Sequence, residues 1–137
     1  MKFTKWQGCG NDFLLIDCRE KELADYGAFT KKSCDRHFGV GGDGVLVIRT
    51  SEKADFRMRI FNADGSEAEM CGNGIRCFAR YLYDNHITDK KKFTVETGAG
   101  ILVPEIVEKD GVVTGVRVDM GEPVLEADKI QIGRAHV

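Results

Sequence analysis

The chain has 137 residues, of which 42% are hydrophobic and 31% are charged. That length suits one domain with its own core, and two complete domains would be a tight fit. Its 20 basic and 22 acidic residues leave a formal net charge of −2, which gives no basic surface for nucleic acid or for an anionic membrane. No apolar run is long enough to span a bilayer and no signal peptide is evident, so we predict a cytoplasmic protein.

Strand patterns dominate the first sixty residues. They cover 2–7, 12–17, 45–49 and 56–61. A polar, helix-compatible region covers 20–38, and Gly39 is placed to end a helix there. In the strand at 56–61, apolar residues alternate with two arginines and Phe61. This alternation predicts a half-buried strand.

A helix pattern begins at Gly74. Apolar residues then recur at the i, i+3, i+4 and i+7 spacing of a helix face, namely at Ile75, Phe78, Ala79 and Leu82. Cysteine and tyrosine side chains add apolar bulk on the other sides of this helix. We therefore predict a helix that is wrapped by other structure rather than one lying on a surface.

The chain returns to strands after this helix. They are predicted at 93–97, 101–108 and 112–120, with a turn at 109–111. Pro104 lies within the second of them, and its missing N–H predicts an edge or a bulge there. Many strands around one buried helix predict an α+β domain.

The stretch "GVGGDG" at 39–44 matches the G-x-G-x-x-G dinucleotide fingerprint in letters only. A working fingerprint follows a strand and opens a helix, so that a pyrophosphate meets the helix N-terminus. Here the helical region precedes the glycines and a strand follows them. We therefore predict that Gly42 and Gly44 allow a tight connection and bind no dinucleotide.

An odd number of cysteines without a secretory signal favours free thiols over a disulfide framework. Zinc sites usually need closely spaced ligand pairs such as C-x-x-C, which the cysteines and the three histidines do not form. We predict no structural metal site. The cysteines are Cys9, Cys18, Cys34, Cys71 and Cys77.

Cys71 stands out because of its setting in "NADGSEAEMCGNG" at 62–74, between a predicted strand and the predicted helix. The first turn of a helix carries unpaired N–H groups and partial positive charge, which would stabilise a thiolate or a substrate carboxylate. Glycines at 72 and 74 would leave access to it. The alternative is a buried cysteine packed as a small hydrophobe, which suits Cys18, Cys34 and Cys77 better.

Three stretches resemble the N-terminal half of the diaminopimelate epimerase family. They are "GCGNDFLLID" at 8–17, "CDRHFGVGGDG" at 34–44 and "FNADGSEAEMCGNGIRCFARYL" at 61–82. The resemblance covers residues 1–131. Proline and hydroxyproline racemases are similar but tend to carry histidine where this chain has Asn73, which favours the diaminopimelate substrate.

The resemblance implies one of two pseudo-symmetric domains, with β-strands forming a barrel around a central helix. It also implies an isomerase of lysine and peptidoglycan-precursor biosynthesis that interconverts LL- and meso-diaminopimelate without pyridoxal phosphate or a metal, and that often dimerises. Two cysteines would exchange protons on opposite faces of the α-carbon. Cys71 matches the first of them, and the substrate-binding positions match Asn11, Asn62, Gly72 and Asn73. Arg76 is left unassigned.

No convincing second catalytic cysteine is present. Cys77 lies six residues further along the helix, roughly 240° around its axis and about 9 Å along it, so the two sulfurs cannot flank one carbon. The resemblance places the second cysteine in a C-terminal domain, and we therefore expect this fragment to be inactive alone. Two alternatives stay open: a racemase half for proline or hydroxyproline, and a stand-alone thiol or ligand-binding module.

The last six residues, "IGRAHV" at 132–137, can be encoded by the start of a common sequencing-adapter oligonucleotide read in frame. We therefore predict a non-native tail at 132–137. The N-terminal epimerase domain is predicted at 1–118 and the beginning of a second domain at 119–131.

Overall fold

The computed structural model describes residues 3–8, 11–37, 39 and 41–119. The strands are β1 (Phe3–Gly8), β2 (Asn11–Asp17), β3 (Gly44–Arg49), β4 (Phe56–Asn62), β5 (Glu67–Ala68), β6 (Val95–Thr97), β7 (Gly100–Lys109) and β8 (Val112–Asp119). The helices are α1 (Tyr26–Ser33) and α2 (Gly72–Asp84). Cys9, the second-domain start beyond residue 119 and the tail at 132–137 lie outside the described residues, so these predictions stay open.

The strands form one mixed sheet. Its order is β1-β2-β3-β4-β6-β7-β8, and the short strand β5 pairs with β4. The β2–β3 and β4–β6 pairs are parallel, and the other pairs are antiparallel. The sheet curls as a half-barrel around α2, which packs against β2, β4, β7 and β8. This confirms the predicted α+β fold.

The two faces of the central strands bury different clusters, because successive side chains of a strand point to opposite faces. One face packs against α2 through residues such as Leu15, Leu46 and Ile60. The other packs against α1 through residues such as Leu14, Val45 and Phe61. Strands buried on both faces read as continuous apolar runs, which explains "FLLI" in β2 and "VLVI" in β3.

Helix α2 confirms the prediction closely. Its four predicted face residues, Ile75, Phe78, Ala79 and Leu82, are all fully buried. Cys77, on another side of the helix, is also buried in the same cluster. Neither helix in the described part of the chain is long and apolar enough to cross a membrane.

Helix α1 is shorter than the predicted helical region at 20–38. The Asp25 carboxylate caps its start by accepting a hydrogen bond from a first-turn N–H at 2.9 Å. The helix ends with Cys34 as its C-cap, so the prediction that Gly39 ends it is wrong. Gly39 instead lies against the end of α1, where a Cβ would come within 2.4 Å of the Lys32 carbonyl oxygen.

Pro104 lies neither on an edge strand nor at the bulge. Strand β7 has neighbours on both sides, and its register shift falls between Val107 and Glu108. The Phe93 N–H donates to the Pro104 carbonyl at 3.3 Å, and proline has no N–H to return the bond. This one-sided pairing explains why β6 begins at Val95 rather than at the predicted residue 93.

The β7–β8 connection matches the predicted turn at 109–111. Asp110 and Gly111 have φ angles of 55° and 80°, and Lys109 pairs directly with Val112. Two consecutive residues with positive φ are typical of the tight two-residue hairpin turn.

Candidate active site

Three strand ends meet at one end of the sheet. Parallel β2 and β3 begin there with Asn11 and Gly44, and antiparallel β4 ends there with Asn62. Gly44 pairs with Phe13 between β2 and β3, and with Asn62 between β3 and β4. The register therefore brings the backbones of Asn11 and Asn62, two predicted substrate-binding residues, to the same sheet end.

Helix α2 begins over this sheet end. A Cβ on Gly74 would lie 3.2 Å from Leu46 Cδ2 and 3.7 Å from Ile60 Cδ1. Leu46 and Ile60 are paired with each other, two residues in from the end of the ladder. The first turn of α2, which includes the predicted residues Gly72 and Asn73, therefore lies beside the strand ends.

Cys71 is the N-cap residue of α2. Its backbone is extended, with φ −144° and ψ 122°, and its carbonyl accepts the first helical hydrogen bond from Ile75 N at 2.9 Å. The helix therefore begins directly after Cys71, two residues before Gly74, where its apolar pattern starts. Its side chain makes no capping hydrogen bond and is partly exposed.

The first turn of α2 is suited to bind an anion. A helix leaves its first N–H groups without intrahelical acceptors and concentrates partial positive charge there. No acidic side chain occupies this turn. Gly74 lets the turn approach the sheet, since an added Cβ would lie only 3.4 Å from Cys71 Cβ and closer still to Leu46.

Asn62 begins a tight turn that leads from β4 to β5. Its N–H donates to the Ser66 carbonyl at 2.7 Å, and its Nδ2 donates to Ser66 Oγ at 3.1 Å. Asp64 accepts hydrogen bonds from Ser66 N and Oγ, which hold the pKa of its carboxyl below the usual range. Gly65 adopts φ 91° and approaches Gly27 of α1 so closely that a Cβ would lie 2.9 Å from Gly27 O.

Arg59 supports this turn from the α1 side, through contacts that the sequence alone does not predict. Its Nε and Nη2 donate to the two Glu67 carboxylate oxygens, each at 2.9 Å. Its guanidinium also lies 4.9 Å from the centre of the Tyr26 ring and 5.1 Å from that of Phe61. The hydrogen bonds from Arg59 lower the pKa of Glu67. The only sequence signal was an arginine alternating with apolar residues.

The "GVGGDG" stretch fastens β3 to the start of β2. The Asp12 N–H donates to Asp43 Oδ2 at 2.8 Å, and the Asp43 N–H donates to the Asp12 carbonyl at 2.7 Å. Arg36 forms ion pairs with both carboxylates, at 3.7 and 3.2 Å. A Cβ on Gly42 would lie 3.4 Å from Asp12 O, and one on Gly44 would lie 2.6 Å from Phe61 O. The predicted tight connection is confirmed.

The other cysteines of the described region are buried. Cys77 is a residue of α2 and lies in the cluster between that helix and the sheet, and Cys18 and Cys34 lie in the cluster on the α1 side. Burial raises the pKa of the Cys18 and Cys34 thiols. Across the described ranges, no group of three or more His, Cys, Asp or Glu side chains is arranged to hold a metal ion.

Comparison with known proteins identifies relatives along almost the whole chain. The family model described as diaminopimelate epimerase matches residues 3–126. Diaminopimelate epimerases from Agathobacter rectalis and Caldanaerobacter subterraneus are each 54% identical, over 98% and 96% of this chain. One from Methanococcus maripaludis is 50% identical over 96%. The chain spans about half the length of these curated relatives, 47% to 48%.

Solved structures share the fold. A probable proline racemase from Agrobacterium radiobacter superposes with a TM-score of 0.69 at 15% identity, over 86% of this chain and 41% of that one. A phenazine biosynthesis protein of the PhzF family from Bacillus anthracis gives 0.62 at 26% identity, over 79% and 35%. At 15% identity the likeness to the racemase shows the fold alone.

Proposed function

The chain belongs to the diaminopimelate epimerase family, and we propose that it forms the Cys71 half of an active site that interconverts LL- and meso-diaminopimelate. The observation that carries this proposal is the position of Cys71. It carries a partly exposed thiol on the N-cap residue of α2, beside the sheet end that holds the backbones of Asn11 and Asn62. Exposure and a helix N-terminus are two of the features that favour a reactive cysteine.

Inversion of the α-carbon requires two acid–base groups. The Cys71 thiolate takes the α-proton from one face, and the electron pair of the broken C–H bond moves into the neighbouring carboxylate. A thiol on the opposite face then gives its proton to the carbon. The backbone N–H groups of Gly72 and Asn73 would bind the carboxylate on which charge develops. Asn11 and Asn62 would bind the polar ends of the substrate.

We propose that the second thiol comes from protein outside these 137 residues. Cys77 is 1% exposed and belongs to the core beneath α2. Cys18 and Cys34 are buried on the opposite face of the sheet. None of these three can therefore approach the carbon from the face opposite Cys71. The curated relatives are about twice as long as this chain, since it spans 47% of the first of them.

Two other functions compete with this one. The fold is shared with a probable proline racemase and a hydroxyproline epimerase, each at 15% identity. Identities of 50% to 54% with diaminopimelate epimerases favour diaminopimelate over these substrates. A stand-alone thiol module would use Cys71 alone, and it would not distinguish between the stereoisomers of its ligand.

An aziridine analogue of diaminopimelate tests the proposal on the chain itself. The Cys71 thiolate would attack a ring carbon, the carbon–nitrogen bond would open, and the nitrogen would take a proton. Peptide mapping by mass spectrometry should find alkylation at Cys71, faster than with a simple aziridine that lacks both carboxylates. Equal rates for the two reagents, or equal labelling of the other cysteines, would contradict the proposal.

A further inference from the structure

Arg76 differs from the other partly buried arginines of the described region. Arg19, Arg49, Arg59 and Arg80 each form an ion pair with an aspartate or a glutamate. Within the described residues, Arg76 forms no ion pair, and its buried Nε atom has no hydrogen-bond partner. A buried donor on a charged group that lacks a partner costs free energy. The structure therefore points to a partner that binds Arg76 in the working protein.

The position of Arg76 indicates what this partner is. It lies in the second turn of α2, four residues after Gly72 and three after Asn73, so the three residues share one side of the helix. Side chains of a helix leave the backbone toward its N-terminus. The Arg76 side chain therefore starts toward the turn that Cys71 caps.

Two protein carboxylates near this turn are already bound by other arginines. No acidic side chain occupies the first turn of α2. Glu67, in the short strand before Cys71, is held on both carboxylate oxygens by Arg59. Arg80, one turn beyond Arg76, is held by Asp84 at 3.0 Å. Of the described acidic groups on either side along the chain, Glu67 and Asp84 are thus already paired with other arginines, whereas Glu69, two residues before Cys71, is exposed.

We propose that Arg76 is a further substrate-binding residue, whose guanidinium attracts and holds the carboxylate that enters the first turn of α2. This inference rests on the proposed function, because it takes the reacting ligand to be an amino acid with its carboxylate beside Cys71. The N–H groups of the turn orient the carboxylate by hydrogen bonding, and Arg76 supplies a full positive charge. An arginine fork suits a carboxylate because it can donate two parallel hydrogen bonds.

Two alkylating reagents of nearly equal size test the proposal on the intact chain. Iodoacetate carries a carboxylate and iodoacetamide is neutral. With each reagent the same Cys71 thiolate bonds to the CH₂ carbon, the carbon–iodine bond breaks and iodide leaves. The ratio of their rates therefore cancels the fraction of thiolate and reports the attraction for the carboxylate. Rates at Cys71 would be measured by peptide mapping at low ionic strength, where charges act over long distances.

The variants are Arg76→Gln, Arg76→Lys and, as matched control, Arg80→Gln. Arg76→Gln should lower the iodoacetate-to-iodoacetamide ratio by roughly three- to tenfold, as expected for one charge within about 10 Å. Arg76→Lys keeps the charge and should restore most of the ratio. Arg80→Gln removes the same charge one turn further away, where Asp84 already offsets it, and should change the ratio less than about twofold.

A ratio that is unchanged in Arg76→Gln, or that falls equally in Arg80→Gln, would overturn the proposal and indicate that Arg76 binds a carboxylate of another protein segment. If Arg76→Gln does not fold, an NMR titration of the wild-type chain provides a second test. Titration of the ¹⁵N-labelled chain with diaminopimelate should shift the Nε–H signal of Arg76 more than that of Arg80. Shifts at Gly72 and Asn73 with an unmoved Arg76 signal would also overturn it.

The same titration separates this inference from the proposed function. If neither Arg76 nor the first turn of α2 responds to diaminopimelate, and if neither reagent prefers Cys71 to the other cysteines, the proposed function fails. If the turn responds while the Arg76 variants keep the wild-type ratio, only the role of Arg76 fails.

Discussion

The two sides of the sheet each carry one helix with a cysteine at one of its ends. On the α2 side, Cys71 precedes the helix N-terminus and is partly exposed. On the α1 side, Cys34 follows the helix C-terminus and is 5% exposed. A helix N-terminus favours a thiolate and a C-terminus disfavours it. Position in the fold, rather than residue type, therefore distinguishes the candidate catalytic cysteine from the structural one.

The two sides are also held together differently. Under α2 lies the larger cluster, which is built almost entirely from apolar side chains. Under α1 lies a smaller cluster with ion pairs at its edge, where Arg59 and Arg49 meet Glu22 and Glu67. We expect apolar packing to dominate the stability of the α2 side, and the ion pairs of Arg49 and Arg59 to add to the stability of the α1 side.

Thiol reactivity should show the largest difference between the two sides. At neutral pH, iodoacetamide should modify Cys71 at least about a thousandfold faster than Cys34, because a buried sulfur reacts only when the structure opens. Peptide mapping over a time course measures both rates in one sample. In urea above the unfolding midpoint, the rates should become similar. Comparable rates in the native chain would remove the distinction between the two cysteines.

A matched pair of phenylalanines tests the difference in packing. Phe78→Ala in α2 removes a fully buried ring and should lower the free energy of unfolding by about 3–5 kcal/mol. Phe29→Ala in α1 removes a partly buried ring at the edge of the smaller cluster and should cost about 1–2 kcal/mol. Urea titration of both variants measures the two values. Equal losses would mean that the sides contribute alike.

Two strand glycines test whether the sheet end beneath the site is tighter than the hairpin far from it. A Cβ on Gly44 would lie 2.6 Å from the Phe61 carbonyl oxygen, whereas a Cβ on Gly115 meets nothing within 4 Å. Gly44→Ala should therefore destabilise the protein by about 2–3 kcal/mol, and Gly115→Ala should be neutral or slightly stabilising. Thermal unfolding distinguishes the two. A harmless Gly44→Ala would show that the strand ends can shift apart.

The elements that could be predicted from sequence are those whose own side chains decide their structure. The apolar spacing of Ile75, Phe78, Ala79 and Leu82 was enough to predict α2, because the same face is buried. The resemblance of the Cys71 stretch to a known family was enough to predict the family, which the comparisons confirm. The roles of the five predicted site residues remain proposals.

What could not be predicted depends on contacts between distant residues. Gly39 matches a helix cap locally, but the helix ends at Cys34 and Gly39 packs back against Lys32. Phe61 was expected on the outer face of a half-buried strand, yet it is 4% exposed because Tyr26 stacks on it at 5.4 Å. The role of Arg59 depends on Tyr26 and Glu67, whose proximity only the folded chain creates.

Acid should produce the smallest of these effects, and Glu67 on the α1 side should contribute to it. Hydrogen bonds from Arg59 hold the pKa of Glu67 below its usual value of 4.5 in the folded chain. A lowered folded pKa means that this contribution to stability is present above the unfolded pKa and is lost as the pH falls through the folded value. Because both side chains are partly exposed, the loss should stay below about 1 kcal/mol.

The urea midpoint, followed between about pH 5 and pH 3, should fall less steeply in Glu67→Gln than in the wild type. Glu52→Gln, an exposed glutamate outside this network, is the matched control and should leave the slope unchanged. Amide hydrogen exchange at low pH would show which part of the protein loses stability first. Protection against exchange should weaken around Tyr26 before it weakens in α2. If α2 loses its exchange protection at the same pH, the two sides of the sheet unfold together. They then behave as a single cooperative unit despite their different construction.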